Sequence, residues 1–153
     1  MIVQVIVGAL AALGFSVLFN VRGRKILLAA LGGVAGWTIH LLVRRFGGSP
    51  VFATFVASVG IGLYAELVAG LGGYPATVFI VSAIIPLIPG GGIYATLSHA
   101  LHGEIPETVS AGLETLYLSG AIATGVALVS SLRMILRRLR KRAAEGKQPP
   151  SLL

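Results

Sequence analysis

Apolar residues fall into five long runs, separated by short polar or glycine-rich joints. The first extends from Met1 to Phe19, with only Gln4 and Ser16 as polar side chains. The others are Ile26 to Val43, Val51 to Leu71, Thr77 to Leu101 and Ala111 to Leu132. As a helix the third run spans about 31 Å, enough to cross a hydrocarbon core about 30 Å thick. Unbroken apolar runs of this length predict membrane helices, not the alternating strands or half-polar stripes of a soluble domain. The expected fold class is therefore an all-α polytopic membrane protein with four to five transmembrane helices. Its transmembrane domain covers 1–132, with spans near 1–19, 26–43, 51–71, 77–101 and 111–132. A basic cytoplasmic tail, 133–153, follows. The first run has no basic residue before it and no small-residue cleavage site after it, so a retained span is expected and not a signal peptide.

Small and polar residues recur every four positions within these runs. Gln4, Gly8, Ala12, Ser16 and Asn20 form one such row, and Thr54, Ser58, Gly62, Glu66 and Gly70 another. Gly32, Gly36 and His40 share a third, which contains a GxxxG pattern. Residues four apart share a helix face, and small residues let helices approach closely in lipid. These rows predict helix–helix contacts.

The fourth run differs from the rest. Pro86-Leu87-Ile88-Pro89-Gly90-Gly91-Gly92-Ile93-Tyr94 places two prolines and three glycines at its centre. Interior prolines remove backbone hydrogen bonds, and glycine weakens helices. The helix is expected to break near the bilayer midplane and to restart around Gly92. Irregular backbone survives at that depth only where protein covers it or a wet cavity lines it. Discontinuous helices of this kind hold substrates in many transporters. The first N–H groups of the restarted helix lack intrahelical partners and carry partial positive charge, so they suit a carboxylate. Pro86, Pro89, Gly90, Gly91, Gly92, Tyr94 and Thr96 are the candidate substrate-binding residues, with Tyr94 or Thr96 adding a hydroxyl. The competing reading is a proline kink packed against its neighbours.

Composition agrees with the pattern. Of 153 residues, 56% are hydrophobic and 11% charged, and the mean hydropathy of +0.92 excludes an ordinary soluble domain. Cysteine is absent, which removes disulfides, thiolate metal sites and cysteine nucleophiles. The net charge of +7 comes from clusters flanking the apolar runs: Arg22, Arg24, Lys25; Arg44, Arg45; and seven residues from Arg133 to Lys147. Basic residues in such places set topology. Without a basic face carrying stacking aromatics, nucleic-acid binding is not expected. Five spans with the N-terminus outside place ten basic residues inside and two outside; four spans, with the broken run re-entrant, place nine inside and three outside. Either way the C-terminus is cytoplasmic, and the five-span arrangement is preferred. Arg137, Arg138, Arg140, Lys141 and Arg142 would meet anionic headgroups, and the tail from Gln148 to Leu153 is expected to be disordered.

Ionisable residues inside the runs are the remaining candidates. Glu66 lies on a small, polar helix edge, and an intramembrane charge costs on the order of 3 kcal/mol. Either it serves proton coupling, with Glu114 lining the same path, or it lies near enough to the interface to reach headgroup water. His40 is a candidate for proton handling, against a histidine that snorkels, and Asn20 is either functional or an ordinary helix end. Trp37 reads as packing. His99, His102, Glu104 and Glu107 form a polar stretch from His99 to Ser110 whose spacing fits no compact ligand set. It reads as a solvated loop, so neither a metal nor a cofactor is expected.

Several stretches resemble the threonine/serine exporter (ThrE-like) family. They are Phe15-Ser16-Val17-Leu18-Phe19-Asn20-Val21, then Pro75-Ala76-Thr77-Val78-Phe79, then Ile85 to Tyr94 with its proline–glycine motif, and finally Gly120-Ala121-Ile122-Ala123-Thr124-Gly125. The resemblance covers about Gly8 to Leu132 and is most specific at the proline–glycine motif. In one departure, Arg22-Gly23-Arg24 stands where the family commonly has Pro-Arg, so the loop stays basic but loses a rigid turn. The resemblance implies a prokaryotic inner-membrane exporter of small amino acids, or in some relatives of a dicarboxylate, driven by the proton gradient. It also implies that the chain corresponds to the C-terminal half of longer fused exporters and works, in an oligomeric assembly, with a larger membrane subunit. Two functional readings follow: a transport subunit that touches substrate, and a structural subunit that assembles the larger chain. No nucleophile elbow, metal cluster or paired acid–base motif supports an enzyme.

Overall fold

The structure, a computed structural model, describes residues 2–21, 23–72 and 75–145. Arg22 of the first basic loop, Gly73 and Tyr74 of the third joint, and the expected disordered tail with Lys147 lie outside the described residues. Six α-helices and no strand are present among the described residues: α1 (Ile2–Leu18), α2 (Arg24–Arg45), α3 (Pro50–Gly72), α4 (Thr77–Ile84), α5 (Gly90–Leu101) and α6 (Ile105–Glu145). A 3-10 turn, Ile85–Leu87, separates α4 from α5. This is the polytopic helical fold expected from the sequence. α2, α3 and α6 are long and apolar enough to cross a membrane; α4 and α5 qualify as a bent pair, and α1 is a shorter apolar helix.

Three helices end by the same device. Asn20, Gly47 and Gly103 adopt left-handed backbone, with φ of 58°, 84° and 73°. The next N–H then folds back: Val21 donates to the Ser16 carbonyl at 2.9 Å, Gly48 to Val43 at 2.9 Å, and Glu104 to His99 at 3.0 Å. This satisfies carbonyls that a helix end leaves open. The last case corrects the sequence reading. The stretch from His99 to Ser110 is not a loop: α5 continues to Leu101 and α6 begins at Ile105. Polarity marks where the apolar run stops, not where the helix stops. Pro106 in the first turn of α6 is compatible with helix, because the N–H it lacks has no intrahelical acceptor there.

The small-residue rows are the contact surfaces. On α1, Gly8 faces the Trp37 side chain, and a Cβ at Gly33 of α2 would lie 2.6 Å from that of Ala12. On α3 two adjacent rows point different ways. Ala57, Ile61, Ala65 and Ala69 pack against α2 and α4, together with Ala29, Phe79, Ala83 and Leu87. Ser58, Gly62 and Glu66 instead meet Gly125, Val129 and Arg133 of α6 in order. The buried hydroxyls of Ser16 and Ser58 turn back on their own helices, donating to the Ala12 and Thr54 carbonyls at 2.7 Å. Serine therefore fills these rows without an orphaned polar group.

The pairings also fix directions. Ser58–Gly125, Gly62–Val129 and Glu66–Arg133 advance together along both chains, so α3 and α6 are parallel. α5 and α6 form an antiparallel hairpin, in which Gly92 lies against Thr115 and Gly112 against Thr96. α4 runs antiparallel to α3, because Phe79 meets Ala65 and Ala69 while Leu87 meets Ala57 and Ile61. α4 and α5 therefore run in one sense and join at a bend of 51°. The broken run progresses through the bundle and does not double back.

The contact between α3 and α6 yields a test. A side chain at Gly125 would meet the Ser58 Cβ at 2.8 Å and the Phe55 carbonyl at 3.0 Å, whereas one at Gly14 meets nothing within 4 Å. Gly125→Val is expected to cost about 1–3 kcal/mol, and Gly14→Val about 0.5 kcal/mol or less. Thermal unfolding of the two variants in detergent, followed by circular dichroism, checks this. Equal midpoints would refute the packing.

Candidate functional site

The helix break is built from the proline–glycine motif. Pro86 has no N–H to offer the carbonyl one turn back, so α4 tightens into the 3-10 turn. Ile88 is extended, with ψ of 129°, and its N–H donates to the Ile85 carbonyl at 3.1 Å. Pro89 occupies the N-cap of α5, which starts at Gly90. The restart thus comes two residues before the expected Gly92, and all three glycines lie in the first turn. Leu87 packs with Ala57, Ile61 and Ala83. Ile61 is the middle residue of α3, so the break lies halfway through the bundle.

The surroundings of the break are asymmetric. On its inner side Pro86 closes a cavity of about 240 Å³ with Val3, Gln4, Val7, Gly8, Ala11 and Trp37. The indole Nε1 of Trp37 is buried and has no hydrogen-bond partner among the described residues. On the other side Gly90 and Gly91 are exposed, and a Cβ at either would meet nothing within 4 Å. Tyr94 is 74% exposed. The Thr96 hydroxyl already donates to the Gly92 carbonyl at 2.7 Å. α5 buries no residue of its own and packs mainly on α6. The motif residues come together, but on an open face.

Glu66 occupies a second place. Its carboxylate forms an ion pair with Arg133 of α6, with side chains 16% and 25% exposed. The pair borders a cleft of about 730 Å³ that also includes Gly70, Thr77, Ile80, Ser130, Arg137 and Arg138. The guanidinium offsets part of the cost of burying the carboxylate. Glu114 is not part of this place. It is exposed and lies 19 residues before Arg133 on the same helix, about 28 Å along its axis. The structure does not bring the two glutamates together.

The other candidates are placed as follows. Asn20 supplies the left-handed end of α1 and, with Lys25 and Thr77, borders a cavity of about 680 Å³. His40 stacks on Trp37 with ring centroids 5.3 Å apart, and its Nδ1 lies 3.4 Å from the Thr54 hydroxyl. His99 pairs with Glu104 across the α5–α6 turn, and His102 Nδ1 lies 2.7 Å from the Ser98 carbonyl. No group of three or more potential metal ligands occurs among the described residues.

Sequence reasoning missed Arg133 as the partner of Glu66, counting it only as a topology residue. The signal was available as a matching row. Ala121, Gly125, Val129 and Arg133 repeat at four-residue spacing, complementing Ser58, Gly62 and Glu66 in size and charge.

A family model described as the threonine/serine exporter, ThrE, matches residues 4–132. The chain belongs to that family. A protein of Haemophilus influenzae, described as uncharacterized, is 30% identical over 129 aligned residues, covering 78% of this chain and 43% of the relative. The chain thus spans less than half the length of that relative. No solved structure matches. The ThrE family and the apolar helices together make this a multi-pass membrane protein.

The ion pair can be tested directly. Glu66→Gln and Arg133→Gln each leave a partly buried charge without its partner, and each is expected to cost about 1–3 kcal/mol of stability. The double variant is expected to lose less than the sum of the two. Additive losses in a double-mutant cycle of thermal midpoints would show that the pair makes no net contribution.

Proposed function

We propose that this chain is the membrane subunit of a proton-coupled secondary exporter of small amino acids such as threonine and serine. It works with a larger membrane subunit in a prokaryotic inner membrane, and its C-terminus is cytoplasmic. The observation that carries this reading is a helix break at half-depth where Gly90 and Gly91 are open while α5 packs mainly on α6. A helix N-terminus in the hydrocarbon with no cover is unfavourable, so the arrangement suits a site completed by another chain. The relative's additional length fits the same view.

In this mechanism the substrate carboxylate accepts hydrogen bonds from the N–H groups of Gly91 and Gly92, since the Gly90 N–H already donates to the Ile88 carbonyl at 2.8 Å, and Tyr94 lines the shared site. Glu66 senses the proton. When protonated it loses its attraction to Arg133, which loosens the contact between α3 and α6 and links proton binding to helix movement. Two observations favour other readings. Packing alone accounts for the small-residue rows, as in an assembly subunit that touches no substrate. The Arg133, Arg137 and Arg138 cluster suits a dicarboxylate such as succinate.

Efflux of preloaded labelled serine and threonine separates these readings. This chain alone, the larger subunit alone and both together are compared at equal membrane levels. Export is expected only with both, and to fall at least about tenfold with Glu66→Gln, the effect of about 1.4 kcal/mol on the transport barrier. A Cβ at Gly91 meets no neighbour within 4 Å, so Gly91→Leu is expected to accumulate normally yet export poorly. Export by the larger subunit alone would reduce this chain to an accessory, and succinate efflux without amino-acid efflux would change the substrate.

A further inference from the structure

The cleft beside Glu66 holds more positive charge than the ion pair uses. Three guanidinium groups, Arg133, Arg137 and Arg138, border it against one carboxylate. Glu66 neutralises Arg133, and neither Arg137 nor Arg138 has a carboxylate partner among the described residues. The start of α4 at Pro75, Ala76 and Thr77 forms another wall. That helix end has no side-chain cap, and its Val78 and Phe79 N–H groups already donate to the Pro75 and Ala76 carbonyls, so the guanidinium groups supply the charge. Thr77 and Ser130 place hydroxyls on the lining. The whole suits an anion with several acceptor oxygens.

The position of the cleft selects the kind of anion. It lies where the apolar run of α6 stops at Leu132 and arginines begin, which is headgroup level for a spanning helix. Its remaining walls are apolar: Ala69, Ile80 and Met134. Met134 is 56% exposed and Leu67, next to Glu66, is 70% exposed, so lipid-facing surface adjoins the opening. A soluble anion would use the arginines and leave these walls unused. A lipid uses both, with its phosphate on the guanidinium groups and its glycerol and upper acyl chain along the walls. Basic pockets between helices near the cytoplasmic face hold headgroups in this way.

We infer that the cleft between α3, the start of α4 and the basic end of α6 is a discrete binding site for the phosphodiester headgroup of an anionic phospholipid. Arg137 and Arg138 hold the phosphate. Glu66 limits the affinity by occupying Arg133. The site therefore differs from diffuse attraction to a polybasic tail, in which every exposed arginine contributes alike. It also ties lipid binding to the protonation of Glu66, since a neutral Glu66 frees a third guanidinium for the phosphate.

The test uses the full chain purified in neutral detergent, with retention of phosphatidylglycerol and phosphatidylcholine measured by native mass spectrometry. Phosphatidylglycerol is expected to be retained selectively. Arg137→Gln or Arg138→Gln is expected to weaken retention about fivefold, and both together about thirtyfold. Arg142→Gln, also at an exposed position on α6, is expected to leave it unchanged. Glu66→Gln is expected to strengthen retention, the opposite of its effect on export. Equal losses from Arg142→Gln and Arg137→Gln would overturn the site in favour of diffuse attraction. Displacement of phosphatidylglycerol by an equal concentration of soluble glycerol phosphate would overturn the lipid as its occupant. Both arginine substitutions are at exposed positions, so the result stands even if Glu66→Gln fails to fold.

Discussion

Close backbone approach along α3 is the constraint on which the rest of the structure depends. Lipid offers no hydrophobic drive between helices, so packing must come from short contacts that large side chains would prevent. α3 meets this need with two rows of small residues on adjacent faces. One row, through Ala57, Ala65 and Ala69, seats α2 and α4. The other, through Ser58 and Gly62, seats α6. The Ser58 hydroxyl bonds to the Thr54 carbonyl of its own helix, so this contact stays tight without leaving that hydroxyl unsatisfied.

This packing determines what the helix break can be. Pro86 and Pro89 interrupt the fourth run, but interruption alone does not decide whether the chain crosses or returns. α4 is held antiparallel to α3, and α5 antiparallel to an α6 that is itself parallel to α3. The break is thereby a bend of 51° within one direction of travel. Its proline side borders a half-open groove with α1 and Trp37 of α2, while Gly90 and Gly91 face no neighbour. That asymmetry is the structural basis for reading the chain as one part of an assembly.

The same register brings Glu66 to Arg133. In the parallel pairing each four-residue step along α3 meets one along α6, and the third pair places acid against base. A charge that would be costly on an isolated helix becomes a cross-link between two helices near the basic end of the bundle. Around it the excess of arginines makes a cleft whose ligand preference follows from its charge and its apolar walls.

The helical membrane class and the break near Pro86 to Gly92 were legible in the chain alone. Each is a local consequence of chain chemistry: apolar length, missing N–H groups, backbone freedom. The sequence also marked the rows that pack, because four-residue periodicity is a property of one helix. Less of the candidate site was legible. Glu66 stood out as a charge in an apolar run, but its partner lies 67 positions away and depends on which rows meet. Glu114 seemed equivalent in composition and lies far along α6. The turn near Gly103 was hidden because polarity and helix ends need not coincide. The direction of the broken run, the pairing of Glu66 with Arg133 and the openness of Gly90 and Gly91 came from the tertiary structure. Those are relations between helices, set by which small residues can approach one another, and no single run of residues contains them.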